Sequence, residues 1–231
     1  MTALTATWGI AALATWGVIL RPWRLPEAIW AVTGAALLVL AGLLPSGPAL
    51  AQVRPHADRF DDTFRKYSKR YFGPGYDWRV FKAQGMTESN LRTSAHSPFG
   101  ARGVMQLLPR TFHEIATQNP DIRRAINDPE WNIAAGISYD RRLWEQWEAD
   151  SVVAQREEFM FASYNAGRGT ILGAQSVARS QQLDARSWSS IEAVAPTVPR
   201  WRWRETIGYV HRIDGHLAQL DEHGRLIVSK P

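Results

Sequence analysis

A helical segment that ends in a glutamate and runs into a glycine-rich loop constrains this chain most. Residues 78–91 carry Trp78, Phe81 and Leu91 at helical spacing, and Glu88 follows Phe81 by seven residues, on nearly the same side of the helix. Burying a carboxyl group among apolar side chains is costly and raises its pKa. Glu88 is therefore a candidate general acid, although a solvent-exposed glutamate in the last helical turn fits the same pattern.

Further short blocks follow in a fixed order along residues 88–210. The loop Gly100–Gly103 lacks the lysine and hydroxyl residue that end a phosphate-binding loop. The four blocks are Glu88–Ser89, Gly103–Gln106, Ser163–Gly167 and Glu205–Val210. In this order they resemble the soluble, Slt-type lytic transglycosylase family, whose members carry E-S, G-L-M-Q, A-Y-N-A-G and E-T-x-x-Y-V. The chain departs from that pattern at Val104 and Ser163, two changes that are small in volume.

The resemblance implies an all-α, lysozyme-like domain that cleaves peptidoglycan. Glu88 would protonate the MurNAc–GlcNAc β-1,4 bond, and the acetamido group of the substrate would stabilise the reacting centre. Glu88 would then accept the proton of the attacking C6 hydroxyl, which leaves a 1,6-anhydro-MurNAc end. The substrate-binding residues would be Ser89, Met105, Gln106, Tyr164, Asn165 and Tyr209, the last of them hydrogen-bonded to Glu88. The chemistry implied needs no metal and no cofactor.

The carboxylates outside these blocks have structural explanations. Thr111 and Glu114 fit a capping box, Asp128 fits a helix cap, and Glu130 fits a first helical turn. A single catalytic carboxyl points to substrate-assisted chemistry rather than to the usual pair. Two alternatives stay open at this stage. One is a goose-type lysozyme that uses water as the nucleophile, and the other is a non-catalytic cell-wall-binding module of an envelope complex.

Composition limits the remaining possibilities. The 231 residues are 45 % hydrophobic and 21 % charged, as in a globular protein. The absence of cysteine excludes disulfides, thiol nucleophiles and cysteine metal sites. A net charge of +5 suits an anionic polymer such as cell wall, but no basic tract with interleaved aromatic residues indicates nucleic-acid binding. We expect a monomer that acts on peptidoglycan glycan strands.

The N-terminus carries two uncharged stretches, 2–20 and 28–44, each at the short end of a bilayer span. They fit an export signal cleaved after Ala49–Ala51, or a two-span anchor in the bacterial inner membrane. Buried helices of a soluble protein are a third reading. Either membrane reading places the remainder in the periplasm or cell envelope. We therefore divide the chain into a hydrophobic signal or anchor at 1–51 and a lysozyme-like transglycosylase domain at 52–231.

Periodicity and capping signals predict several helices with short connections. The chain from 176 to 200 is polar and interrupted by prolines, which favours a long surface loop, and 221–231 shows no pattern. Asn132 lies near the start of a long apolar stripe, where a polar side chain facing the groove is one possibility. The helices are expected at 58–72, 78–91, 111–119, 129–148, 152–166 and 205–220.

Overall fold

The computed structural model describes residues 58–123 and 125–227, and across these residues the protein is helical. Extended residues there form only isolated antiparallel bridges, such as His96 with Arg102. The eight α-helices of the described residues, with one 3₁₀ turn at Ala195–Thr197, are α1 Asp61–Phe72, α2 Arg79–Ser89, α3 Pro109–Gln118, α4 Pro129–Ala149, α5 Arg156–Ala166, α6 Arg168–Ser180, α7 Trp188–Val194 and α8 Trp203–Leu217. The all-α prediction is confirmed. The predicted signal or anchor at 1–51 lies outside the described residues.

α5 forms the middle of the core. Phe159, Met160, Phe161 and Ala162 expose at most 2 % of their surface. Four successive apolar residues cover every side of one helical turn, so this turn of α5 lies in the interior. α4, α6 and α8 pack against α5, and α2 packs against α8. Within the described residues, no helix is both long and apolar enough to cross a bilayer.

α2 ends directly after the candidate acid. Asn90 and Leu91 adopt left-handed backbone conformations, with φ of 52° and 58°. Their amides donate to the carbonyls of Met86 and Gly85, which satisfies the last acceptors of the helix. Glu88 is therefore held in the final helical turn, beside the loop that follows.

Of the two helix starts predicted from capping signals, one is confirmed and the other is wrong. Asp128 caps α4 by accepting hydrogen bonds from two first-turn amides, as predicted. The capping box at Thr111 and Glu114 is wrong, because α3 begins earlier, with Pro109 at its first position. Proline fits that position since its φ is already helical and its missing N–H leaves no bond unmade. Glu114 instead accepts a hydrogen bond from Arg142 at 2.7 Å.

The predicted surface loop at 176–200 is wrong. α6 continues to Ser180, and α7 packs against it. Trp188, Ile191 and Val194 each expose at most 4 % of their surface. These residues recur every third position, a short apolar stripe within a segment that is polar on average.

The end of the chain also packs against the helices. Lys82 is fully buried, and its Nζ donates to the Gly224 carbonyl and to Asp61 Oδ1, both at 2.6 Å. The Trp78 ring covers Gly224 so closely that a Cβ there would lie 2.1 Å from a ring carbon. Within 221–227, the residues that showed no sequence pattern therefore tie α1 and α2 together.

Candidate active site

Glu88 lines a cleft of about 560 Å³, within the usual range for small-molecule sites. The cleft is bordered by the loop after α2, the start of α3, the end of α5 and the start of α8. Its lining residues are Glu88, Ser97, Phe99, Ala101, Gln106, Leu107, Leu108, Thr111, Tyr139, Tyr164, Asn165, Ala166, Gly167 and Glu205. A separate depression of about 520 Å³ near Asp150 and Arg179 contains none of the predicted site residues.

The Glu88 carboxyl is partly buried, and Tyr209 is its hydrogen-bond partner. The Tyr209 hydroxyl, carried by α8, donates to Glu88 Oε1 at 2.7 Å. Burial raises the pKa of Glu88 to about 7, while the Tyr209 bond and the charge of Arg212 act in the opposite direction. Glu88 can therefore lose and regain a proton near neutral pH, which a group that serves as both acid and base requires.

Asn132 fixes the loop beneath the cleft. Its Oδ1 accepts from the Met105 amide at 2.8 Å, and its Nδ2 donates to the Arg102 and Ile126 carbonyls at 3.0 Å each. Gly103, with φ of +75°, lies so close that a Cβ would be 2.6 Å from the Asn132 amide nitrogen. The suggestion that Asn132 faces the groove is wrong, because its side chain is fully buried.

Three of the predicted substrate-binding residues, Gln106, Tyr164 and Asn165, lie on the cleft surface. Tyr164 is anchored because its hydroxyl donates to the Met105 carbonyl at 2.8 Å. Gln106 Nε2 donates to two loop carbonyls at 2.9 and 3.1 Å. No residue in the described part of the chain donates to Gln106 Oε1, so this oxygen stays available as an acceptor.

The other three lie behind the cleft surface. Met105 is fully buried. Ser89 is buried as well, and its hydroxyl donates to the Val104 carbonyl at 2.8 Å. Tyr209 exposes 3 % of its surface and contacts Glu88. In this arrangement these three side chains reach a ligand only through the groups that they position.

A second buried carboxyl group, Asp140, was not predicted from the sequence. Asp140, in the middle of α4, is fully buried, and Gln84 Nε2 donates to its Oδ1 at 3.3 Å. Burial first, and then the negative charge of Glu88, hold the pKa of Asp140 well above its ordinary value. A signal for it exists in the sequence, because Asp140 follows Ile133 and Ile137 at helical spacing on the most buried side of α4.

A model of a known protein family matches the part of the chain that carries Glu88. The family model described as the transglycosylase SLT domain matches residues 63–186, more than half of the chain. The chain belongs to the transglycosylase SLT family. The matched range contains Glu88 and the first three sequence blocks, while Tyr209 lies beyond its end. The resemblance drawn from the blocks is confirmed.

Relatives of this SLT chain include two proteins named membrane-bound lytic murein transglycosylase F, each 30 % identical to it. The Shewanella pealeana match covers 65 % of this chain and 29 % of the relative. The Desulfosudis oleivorans match covers 67 % and 35 %. The chain therefore spans about a third of these relatives' length.

A solved structure shares the fold. It is the complex of a 70-kDa soluble lytic transglycosylase with bulgecin A, which is 23 % identical to this chain. The match has a TM-score of 0.50 and covers 88 % of this chain and 28 % of that protein. At this identity the likeness concerns the fold alone, and it agrees with the predicted all-α, lysozyme-like class.

Proposed function

We propose that this SLT-family chain is a peptidoglycan lytic transglycosylase that cleaves the MurNAc–GlcNAc β-1,4 bond and leaves a 1,6-anhydro-MurNAc end. The observation that carries the proposal is the pair formed by Glu88 and Tyr209. It places a carboxyl group with a pKa of about 7 at the wall of an open cleft. The relatives' names, which refer to murein, supply the substrate class.

In the first step Glu88 acts as the general acid. Since Tyr209 donates to Oε1, the proton of the neutral carboxyl group is carried by Oε2. Transfer of this proton to the glycosidic oxygen breaks the C1–O bond and releases the GlcNAc hydroxyl. The acetamido oxygen of the MurNAc residue stabilises the positive charge that develops at C1, so a second protein carboxylate is not needed.

In the second step Glu88 acts as the base. Its carboxylate accepts the proton of the MurNAc C6 hydroxyl, and the C6 oxygen bonds to C1 to close the anhydro ring. No water is consumed, and Glu88 recovers the proton that it lost. The Tyr209 bond is strongest while Glu88 is ionised, because charge-assisted hydrogen bonds are stronger than neutral ones. Tyr209 therefore stabilises the state between the two steps.

The cleft surface suits a saccharide, which has both polar edges and apolar faces. Phe99 and Leu108 line it and expose 79 % and 44 % of their surface. Aromatic and aliphatic surfaces of this kind bind the apolar faces of sugar rings. The Gln106 and Asn165 amides on the same surface offer hydrogen bonds to hydroxyl or acetamido groups.

Hydrolysis of the goose-type lysozyme kind is the second candidate, and Glu205 is the observation that favours it. This carboxylate also lines the cleft, where it pairs with Arg202 at 2.8 Å. A second carboxylate in the groove would activate a water molecule for attack on C1. The product would then be a reducing MurNAc end rather than an anhydro end.

Digestion of purified peptidoglycan followed by mass analysis of the glycan ends tests both candidates. We expect ends that are lighter by one water than reducing ends, their loss in Glu88→Gln, and their retention in Glu205→Gln. Reducing ends that disappear in Glu205→Gln would establish the hydrolase instead. Clearance of peptidoglycan by Glu88→Gln at the wild-type rate would remove the catalytic assignment and favour a wall-binding module.

We also propose that the chain works in the cell envelope, with 1–51 as a signal or an inner-membrane anchor. The support is the uncharged character of 2–20 and 28–44 and the membrane-bound relatives. Mass spectrometry of the mature N-terminus distinguishes the two forms. A chain that begins at Gln52 indicates a cleaved signal, whereas an intact N-terminus in the membrane fraction indicates an anchor.

A further inference from the structure

Asp140 is a buried carboxyl group that the proposed reaction does not use. It exposes none of its surface, and Gln84 Nε2 donates to its Oδ1 at 3.3 Å. Gln84 is also fully buried and lies on α2 one helical turn before Glu88. The two side chains therefore join α4 to the part of α2 that carries the acid.

One atom on each side of this pair has no partner. Asp140 Oδ2 and Gln84 Oε1 are buried, and no group in the described residues hydrogen-bonds to either of them. If Asp140 were ionised, both atoms would be acceptors and neither could satisfy the other. A proton on Asp140 Oδ2 makes that oxygen a donor. The free acceptor is Oε1 of Gln84, the same amide whose Nε2 already donates to Oδ1. A two-bond acid–amide pair then satisfies both atoms.

The surroundings of Asp140 do not favour an anion. Among the described residues, no lysine, arginine or histidine forms an ion pair with it. Burial, followed by the charge of Glu88, holds the pKa of Asp140 well above its ordinary value. The ionisable groups that interact with it are all acids, and they come from α2, α4, α5, α8 and the segment before α2: Glu88, Tyr139, Tyr164, Tyr209 and Tyr76.

We propose that Asp140 is a positioning residue for Glu88 that acts as a neutral acid. Its Oδ2 proton is donated to Gln84 Oε1, and the resulting pair fixes α2 against α4 without placing a charge behind the cleft. A negative charge there would oppose ionisation of Glu88, and Glu88 must ionise to act as the base. This kinetic role rests on the proposed function, whereas the protonation of Asp140 does not.

The protonation is tested by stability against pH in a Glu88→Gln background, where Glu88 no longer titrates. Folded Asp140 keeps a proton that the unfolded chain loses above its ordinary pKa of 3.8. Stability therefore falls as pH rises from there towards the folded pKa. Asp140→Asn supplies the same donor and acceptor without a titrating proton. Between pH 5 and 7, the unfolding constant of the parent should rise relative to that of Asp140→Asn by about tenfold per pH unit.

If the stability difference between Asp140→Asn and its parent does not change with pH, the proposal is overturned, because Asp140 is then already ionised in the folded chain. A pH-independent difference only reports how the asparagine amide packs. Carbon-13 NMR of aspartate-labelled Glu88→Gln protein gives a second measurement that needs no Asp140 variant to fold. We expect one protonated carboxyl signal that stays in place from pH 5 to 7. The absence of such a signal would also refute the proposal.

The positioning role is tested by the pH profile of peptidoglycan solubilisation. Asp140→Asn keeps both hydrogen bonds, so the alkaline limb set by Glu88 should remain where it is in the wild type. Asp140→Leu loses both bonds, so its kcat should fall about tenfold or more with KM little changed, a loss that asparagine rescues. A downward shift of the limb by about one pH unit in Asp140→Asn would show that an anion had been removed, against the proposal. A wild-type chain without lytic activity would refute the proposed function, while the stability slope would still decide the Asp140 proton.

Discussion

Tyr209→Phe removes one hydroxyl group from the site and leaves the aromatic ring in place. That hydroxyl donates to Glu88 Oε1 at 2.7 Å and favours the ionised carboxylate. A hydrogen bond to a charged group contributes about 1.5–3 kcal/mol, and about 1.4 kcal/mol corresponds to one pKa unit. Its removal should therefore raise the pKa of Glu88 from about 7 by about one unit or more. The same energy, lost from the state in which Glu88 is ionised, corresponds to a decrease in kcat of about 10- to 100-fold.

The assay is the pH dependence of kcat/KM on purified peptidoglycan. Because Glu88 must begin protonated, the alkaline limb of the profile follows its pKa. We expect this limb to move to higher pH in Tyr209→Phe while the maximum rate falls. Tyr164→Phe is the matched control, since its hydroxyl donates to the Met105 carbonyl, and its limb should stay in place. A limb that stays or moves to lower pH in Tyr209→Phe would refute the assigned role of this bond.

Three further predictions concern stability, measured by urea unfolding. The folded pKa of Glu88 lies above its ordinary value of 4.5, so the wild type loses stability as pH rises towards 7. Glu88→Gln should be more stable than the wild type by about 3 kcal/mol at pH 8, with no such gain at pH 4. Asp61→Ala removes the closer of the two carboxylates that face the buried Lys82 ammonium and leaves only the exposed Asp58, at 3.5 Å, so it should cost about 3 kcal/mol, more than Lys82→Met. Asn132→Asp still accepts from the Met105 amide but presents oxygen to two buried carbonyls, so it should cost about 2–3 kcal/mol and lower kcat.

The helix pattern makes Glu88 a candidate acid because this part of the signal is local. Seven residues separate Phe81 from Glu88, and a helix places both on one side whatever surrounds them. The contact between Tyr209 and Glu88 is different, since 121 positions separate them. Periodicity cannot pair residues that far apart, and only the family resemblance linked them. The contact itself depends on α8 packing against α2.

Asp140 was missed because two apolar stripes run along α4. One stripe passes through Tyr139, which lines the cleft. The more buried side of the helix passes through Ile133, Ile137 and Asp140, all fully buried. A helix enclosed on most sides has no single inner face, so periodicity alone does not rank one stripe above the other. Periodicity also failed to predict α7, because its apolar stripe lies on a helix of only seven residues.

α2 carries three polar side chains that each bond to a partner on another element, in addition to its apolar core residues. Lys82 reaches the C-terminal segment, Gln84 reaches Asp140 on α4, and Glu88 reaches Tyr209 on α8. A buried polar group that loses its partner costs the full desolvation penalty. A shift of α2 along its axis would break all three interactions together. The position of Glu88, the candidate acid, is thus set by contacts with three separate elements, and a change in any one of them should alter the proposed catalysis without contacting the substrate.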